Sequence, residues 1–342
     1  MTLQLSPSKI LQIGTGFFAS KTLLSAVELD LFGTLGDGPL SRTALRDKLG
    51  LHPRSAADFF DALVALGLLE RDGDGPDARY GNSAEASAFL VPSSPAYIGG
   101  VLRMANNRLY PFWARLTDAL KSGEPQNEVR DEGSPDLFTV LNGDPRALEE
   151  FVDAMGSLQR GNFNLLSERF DFSSYQSICD VGGSGALQSI AICERHKHVR
   201  CISMDLELVT NVARQRIEDA GLTKRIEARN GNFMVDSLPK ADVILMGNIL
   251  HDWDTPTKEM LIRKAWEALP SGGAFIVIED IIDDARRTNA GALLMSLNML
   301  IETPGGYNFT FAQFNEWCRD AGFVRIERLD LAGLSTAAIA CR

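Results

Sequence analysis

The chain has 342 residues, 45% of them hydrophobic and 23% charged, with a net charge of −11. That length can bury a sizeable core and suggests two domains, and the acidic balance argues against a nucleic-acid partner, which needs a basic face. The five cysteines show no CxxC spacing and the four histidines form no cluster with metal-ligand spacing, so reduced buried thiols and no metal are expected.

In chain order, apolar residues at helical spacing run from about Lys9 to Leu35 (Leu11, Phe17, Phe18, Leu23, Leu24, Val27, Leu31, Phe32), which predicts a helix. Leu40-Ser41 opens a short helix to Leu49, stopped by Gly50, and Pro53 begins another that ends at Gly67. Leu68–Arg71 and Ala78–Tyr80 around a polar turn read as a small hairpin. Helices followed by a hairpin form a winged-helix pattern. The pattern invites a DNA-binding reading, but residues 1–100 carry eight basic residues against eleven acidic ones, and the second of these helices bears Asp58 and Asp61. Phosphate would be repelled there, which leaves an interaction module. The stretch Ile10–Leu35 holds more large apolar residues than one face can bury, and such a surface predicts a homodimer. No basic region followed by an apolar core opens the chain, and no apolar run reaches bilayer-spanning length. A leader and a membrane partner are therefore not expected, and a cytoplasmic location is.

A helical connector follows, through Phe112, Trp113, Leu116 and Leu120, with a Gly/Pro/Asp-rich break from Ser122 to Pro135 and a helix from about Pro145 to Phe163. From Ser177 strands and helices alternate. Strand candidates are Ser177–Val181, Val199–Met204, Ile226–Asn230, Val243–Gly247 and Ala274–Glu279. This alternation predicts an α/β fold: a Rossmann-like parallel sheet behind an N-terminal, mainly α, winged-helix domain.

The first strand runs into Asp180-Val181-Gly182-Gly183-Ser184-Gly185-Ala186-Leu187. Glycines there let backbone approach a ligand, and the following helix offers free N–H groups. Gln188 occupies the place of the third glycine of a dinucleotide loop, which disfavours a nicotinamide cofactor and favours a different adenosine ligand. Ligands of such sheets sit beyond the C-terminal strand ends. Those ends present Gly182; Asp205 and Leu206; Asn232 and Phe233; Asn248 through His251; and Glu279. An acid at Asp205 can accept both ribose hydroxyls, and an amide beside an aromatic ring can frame a purine.

The stretches DVGGSGA, MDLE, GNF, LPKADVILMGNILHDWD, LPSGGAFIVIED and CRDAGF closely resemble the class I S-adenosylmethionine (SAM)-dependent methyltransferases. They look most like the small-molecule O-methyltransferases, which include plant caffeate and flavonoid enzymes and bacterial polyketide enzymes. The likeness covers nearly the whole chain. It implies a winged-helix dimerisation domain over 1–100, a helical connector contributing to the acceptor pocket over 101–170, and a SAM-binding catalytic domain over 171–342. It implies that SAM, leaving as S-adenosylhomocysteine, meets Gly182 near its methionine part, Asp205 on the ribose, Leu206 against adenine, Asn232 and Phe233 at the adenine edge, and Asn248 close by. Arg160 would reach the methionine carboxylate. His251 matches the family's catalytic base and Glu279 the acid that orients it. Acceptor contacts by family position are Met104, Asn107, Phe112, Phe151, Met155, Asn298, Met299 and Glu302. Plant relatives place a second orienting acid after a Gly-Gly pair; here that position is Asn308, so one carboxylate of the set is expected to be missing.

These residue types suit methyl transfer. Displacement at a sulfonium is accelerated largely by alignment. A phenol is mostly protonated at neutral pH, so a neutral imidazole beside it helps form the oxyanion, with a carboxylate fixing the ring from the other side. The expected function is methylation of a hydroxyl on a small aromatic or polyketide-like acceptor in specialised metabolism. An N- or C-methyltransferase of the same fold, a SAM-binding member with hydroxylation or cyclisation chemistry, and a DNA-binding regulator are the alternatives.

Overall fold

A computed structural model describes residues 5–130 and 145–342. The last part of the expected Ser122–Pro135 break, residues 131–135, lies outside them. The chain divides into two units, Met1–Pro111 and Phe112–Arg342.

In the first unit the expected single helix is three: α1 (Ser8–Gly14), α2 (Phe17–Glu28) and α3 (Leu31–Thr34). The breaks have local causes. The Thr15 hydroxyl donates to the Leu11 carbonyl and the Gly16 N–H to the Ile13 carbonyl, tightening the turn. Asp30 takes a left-handed conformation, φ 52°, which ends α2. Then come β1 (Leu40–Ser41), α4 (Arg42–Lys48), α5 (Pro53–Ala65), β2 (Leu69–Asp72), β3 (Arg79–Asn82), α6 (Ala84–Phe89) and α7 (Gly99–Met104). Ser41 caps α4 by accepting from the Ala44 N–H at 3.3 Å. Leu40-Ser41 also pairs with β3, so the wing is a three-stranded sheet and not a bare hairpin. Val27, Phe32, Leu45, Phe60, Leu63 and Tyr80 make the core.

The outer face of α1 and early α2 is different. Leu5, Ile10, Leu11, Ile13, Phe17 and Phe18 are each at least half exposed. By length and composition alone Ser8–Glu28 is apolar enough to cross a membrane, contrary to the expectation that no run reaches that length. The sequence count missed it because it required an unbroken apolar run, whereas Ser, Thr and Gly dilute this one without adding charge.

In the second unit α8 (Tyr110–Trp113) contains the boundary, followed by α9 (Leu116–Ser122) and α10 (Pro145–Arg169). The α/β part comprises β4 (Ser177–Val181), α11 (Leu187–Arg195), β5 (Arg200–Asp205), α12 (Glu207–Asp219), β6 (Ile226–Asn230), β7 (Val243–Gly247), α13 (Thr255–Ala268), β8 (Ala274–Glu279), α14 (Ala290–Glu302), α15 (Phe311–Ala321), β9 (Arg325–Asp330) and β10 (Thr336–Cys341). The strands form one seven-stranded sheet in the order β6-β5-β4-β7-β8-β10-β9. β4 to β8 are parallel, and β10 runs antiparallel between β8 and β9. β7 and β8 read as continuous apolar runs because both faces are covered. Parallel pairing brings the C-terminal ends of β4, β5, β6, β7 and β8 to one edge, where the expected ligand-facing residues lie.

Candidate active site

The loop after β4 is held in conformations that side chains resist. Gly182 has φ +68°, and Ser184 and Ala186 have φ 48° and 60°. A side chain at Gly182 would strike Ile249, and one at Gly183 the Ser203 hydroxyl. Asp205, at the end of β5, closes this loop. One carboxylate oxygen accepts from the Ser184 N–H at 2.9 Å and the other from the Leu206 N–H at 2.7 Å. Burial raises the Asp205 pKa and the two N–H donors oppose it. Each oxygen keeps a further lone pair. Beside it Asp180 is buried, accepts from the Ser189 hydroxyl at 2.9 Å, and has its pKa pushed up to about 6 by that burial.

Around the loop, Leu206 is exposed and Phe233 lies edge-on to Trp253 at 6.3 Å between centroids. The Asn232 amide oxygen accepts from the Met234 N–H at 3.0 Å. Asn248 is left-handed, φ 55°, with a buried side-chain oxygen that has no hydrogen-bond partner among the described residues. Arg160 is exposed on α10. Arg216 of α12, which pairs with Asp153 of α10, lies over the loop, where a side chain at Gly185 would strike its guanidinium. Its pairing spans 63 residues, and no local pattern signals it.

At the ends of β7 and β8, His251 and Glu279 are both buried. His251 Nδ1 lies 2.6 Å from Glu279 Oε2, and the His251 backbone N–H donates to Glu279 Oε1 at 3.2 Å. His251 Nε2 faces Asp252 Oδ1 at 3.3 Å. Burial depresses the imidazole pKa, but Glu279 and then Asp252 overcome it, leaving it well above the usual histidine value. Asn308 is buried and donates its amide to the Asp280 carbonyl at 2.9 Å. The position after Gly305-Gly306 thus carries no acid, as expected. The Asp252 carboxylate stands instead at the opposite ring nitrogen, where the segment carrying Gly306 packs against the turn.

Gly306 makes this possible. A methyl added there would lie 2.6 Å from the His251 carbonyl oxygen and 2.8 Å from the Asp252 carbonyl carbon, closer than real contacts allow. Gly306→Ala is expected to displace the His251 turn and lower kcat on the order of 10²-fold, as a misplacement of about 1 Å can, with SAM affinity retained. Steady-state kinetics beside calorimetric titration would check it.

Of the expected acceptor residues in the second unit, Asn298 accepts from Trp113 Nε1 at 2.8 Å. Met299 is buried on α14, Phe112, Phe151 and Met155 are half-buried, and the Glu302 carbonyl accepts from Asn127 at 2.7 Å. Met104 and Asn107 belong to the first unit, on α7 and the π-helical turn after it. Among the described residues no cluster of His, Cys, Asp and Glu could hold a metal ion.

The chemistry of the β4–β5 edge fits an adenosine sulfonium: a half-buried acid, Asp205, with spare acceptor capacity beside a backbone cradle that side chains would fill. Known proteins agree. Residues 113–324 match the O-methyltransferase domain model and residues 11–92 the O-methyltransferase dimerisation domain model. The chain is 39% identical over 333 residues to the tetracenomycin polyketide synthesis 8-O-methyl transferase TcmO of Streptomyces glaucescens, covering 97% of this chain and 96% of that one. It is 34% identical over 323 residues to the N,N-dimethyltransferase OxyT of Streptomyces rimosus, covering 94% and 92%. The crystal structure of human N-acetylserotonin methyltransferase in complex with SAM superposes with a TM-score of 0.90 at 25% identity, covering 100% and 99%. The chain belongs to the SAM-dependent O-methyltransferase family, with its N-terminal dimerisation domain and Rossmann-like sheet as expected. It is an enzyme that takes its methyl group from SAM.

Proposed function

We propose that the chain methylates a hydroxyl of a polyketide-like aromatic acceptor in specialised metabolism, with His251 acting on the acceptor oxygen. The observation that carries this reading is the buried His251–Glu279 pair on the sheet edge that also bears Asp205; the relative TcmO supports the acceptor class.

SAM supplies an electrophilic methyl on a sulfonium. Asp205 holds the ribose, the Gly182–Ala186 loop the methionine part, and Leu206, Asn232, Phe233 and Asn248 the adenine side. Arg160, exposed on α10, takes the methionine carboxylate. Phe112, Phe151, Met155, Asn298, Met299 and Glu302 contact the acceptor, their flat and polarisable side chains suiting fused rings. Glu279 fixes the His251 ring through Nδ1, so Nε2 is the atom that meets the hydroxyl, displacing its contact with Asp252. His251 takes the hydroxyl proton as the oxygen becomes a nucleophile, and Glu279 stabilises the imidazolium that results. An acceptor that arrives ionised pairs with His251 already protonated; the two arrangements hold the same number of protons. Incubation with radiolabelled SAM and a panel of hydroxylated naphthoates and anthraquinones should label at least one acceptor. Labelling of amines alone would favour the N-methyltransferase reading, which the relative OxyT supports.

The protein acts as a cytoplasmic homodimer through α1 and α2. Their exposed Phe17 and Phe18, at 51% and 63%, and the matched dimerisation domain support this. Light scattering should give twice the 37.4 kDa chain mass, and Phe18→Glu should shift the population to monomer. A wild-type monomer at micromolar concentration would contradict it.

A further inference from the structure

The buried stripe of α13 runs Lys258, Leu261, Ile262, Ala265 and Ala268, so an ammonium occupies an apolar position. Lys258 is 0% exposed. Its Nζ donates to the carbonyl of Trp253, the residue that closes the His251 turn, and stands 3.5 Å above the centroid of the Tyr307 ring. The Tyr307 hydroxyl is in turn hydrogen-bonded to Thr255 Oγ1 at 2.5 Å. The ammonium therefore joins the His251-Asp252-Trp253 turn to the Gly305-Gly306-Tyr307 segment, whose backbone already presses on that turn. Among the described residues no carboxylate lies within ion-pair distance of Nζ.

We propose that Lys258 is a positioning residue for methyl transfer: it clamps the His251 turn against the Tyr307 segment and sets a positive charge against the acids that hold the His251 proton. The proposal rests on the function proposed above. The charged groups that act on Lys258 are Glu279 from β8, Asp254 from the start of α13 and Asp252 from the turn, and Glu279 and Asp252 are also the two that act on His251. Burial pushes the Lys258 pKa down to about 8, while Glu279, Asp254 and Asp252 pull it up, so the side chain is mostly charged at neutral pH. A carbonyl tether needs no charge, and an apolar side chain avoids the desolvation cost of a buried ammonium. A charge retained in that place acts on its neighbours: it offsets part of the negative potential of Glu279 and Asp252 that raises the His251 pKa.

The test compares Lys258→Gln, which keeps a donor for the Trp253 carbonyl, with Lys258→Met, which removes donor and charge. The His251 ring is titrated by NMR in the full-length protein with S-adenosylhomocysteine, and its signal is identified among the four histidines by its loss in His251→Gln. In both variants the midpoint should rise by about one pH unit, a tenfold change in proton affinity. The acid limb of kcat/KM should move with it and activity should recover at alkaline pH. A midpoint that is unchanged or lower in both overturns the proposal, as does a uniform loss of activity across pH. The titration needs no turnover, so a raised midpoint without methyl transfer would sink the proposed function and leave the role of Lys258 standing. If neither variant folds, Tyr307→Leu, which removes the ring under the cation, should raise the midpoint while Tyr307→Phe leaves it in place. Equal behaviour of those two overturns the proposal.

Discussion

His251→Ala should lose on the order of 10²–10⁴-fold in kcat at neutral pH, the range that a positioned general base supplies, with SAM affinity unchanged. The pH dependence carries a sign. Because Glu279 and Asp252 raise the His251 pKa against its burial, the form able to accept a proton is lost as pH falls through a value above the usual one for histidine. The acid limb of kcat/KM should lie correspondingly high with a weakly acidic phenol. Glu279→Gln removes the nearest raising charge, so that limb should move down as kcat falls. The double variant should lose little beyond either single change, since the two side chains act as a unit. The His251→Ala penalty should also grow with acceptor pKa, because an acceptor that is already ionised needs no base and relies on alignment. Stopped assays over a series of substituted phenols and hydroxyquinones, each across pH, would measure all three.

The second large effect falls on the cofactor. Asp205→Ala removes the acceptor for two ribose hydroxyls, and charge-assisted hydrogen bonds are worth about 1.5–3 kcal/mol each. It also frees the Ser184 and Leu206 N–H groups that Asp205 now holds, loosening the glycine loop. Calorimetry should show SAM binding weakened on the order of 10²–10⁴-fold. Asp205→Asn, which keeps one acceptor oxygen, should lose less. Unchanged affinity in the Ala variant would sink the ribose assignment.

How far the sequence showed this depends on how local each signal is. Four of the five parallel strands were legible as short apolar runs stopped by Gly or Asp, and β6, Ile226-Glu227-Ala228-Arg229-Asn230, by its place in the alternation and the Gly231 that follows it. β9 and β10 were not. β9 is an edge strand rich in charge, Arg325-Ile326-Glu327-Arg328-Leu329-Asp330, and β10 is alanine-rich, with little β preference of its own. The break at Thr15-Gly16 was hidden because helical spacing of apolar residues continues across it. His251 and Glu279 could be paired through the resemblance, but the Asp252 carboxylate at the other ring nitrogen was not legible, since neighbours in sequence do not announce which ring nitrogen they face. Arg216 over the glycine loop depends on Asp153 in a distant helix. Lys258 did leave a trace: a lysine in phase with Leu261, Ile262 and Ala265 on the apolar side of its helix. Such a residue is normally solvated at a helix end, so its place in the stripe was the signal to follow.

The central claim is that the His251 edge of this sheet drives methyl transfer to an aromatic hydroxyl. The most direct measurement is carbon NMR of the product formed from methyl-¹³C SAM and a hydroxylated naphthoate or anthraquinone, run in parallel with wild-type protein and His251→Ala. The account predicts a methoxyl carbon resonance from the wild type that is largely lost in the variant while both proteins bind SAM equally. A label appearing on nitrogen or ring carbon, or a methoxyl signal of equal strength from both proteins across acceptors of differing acidity, would contradict it.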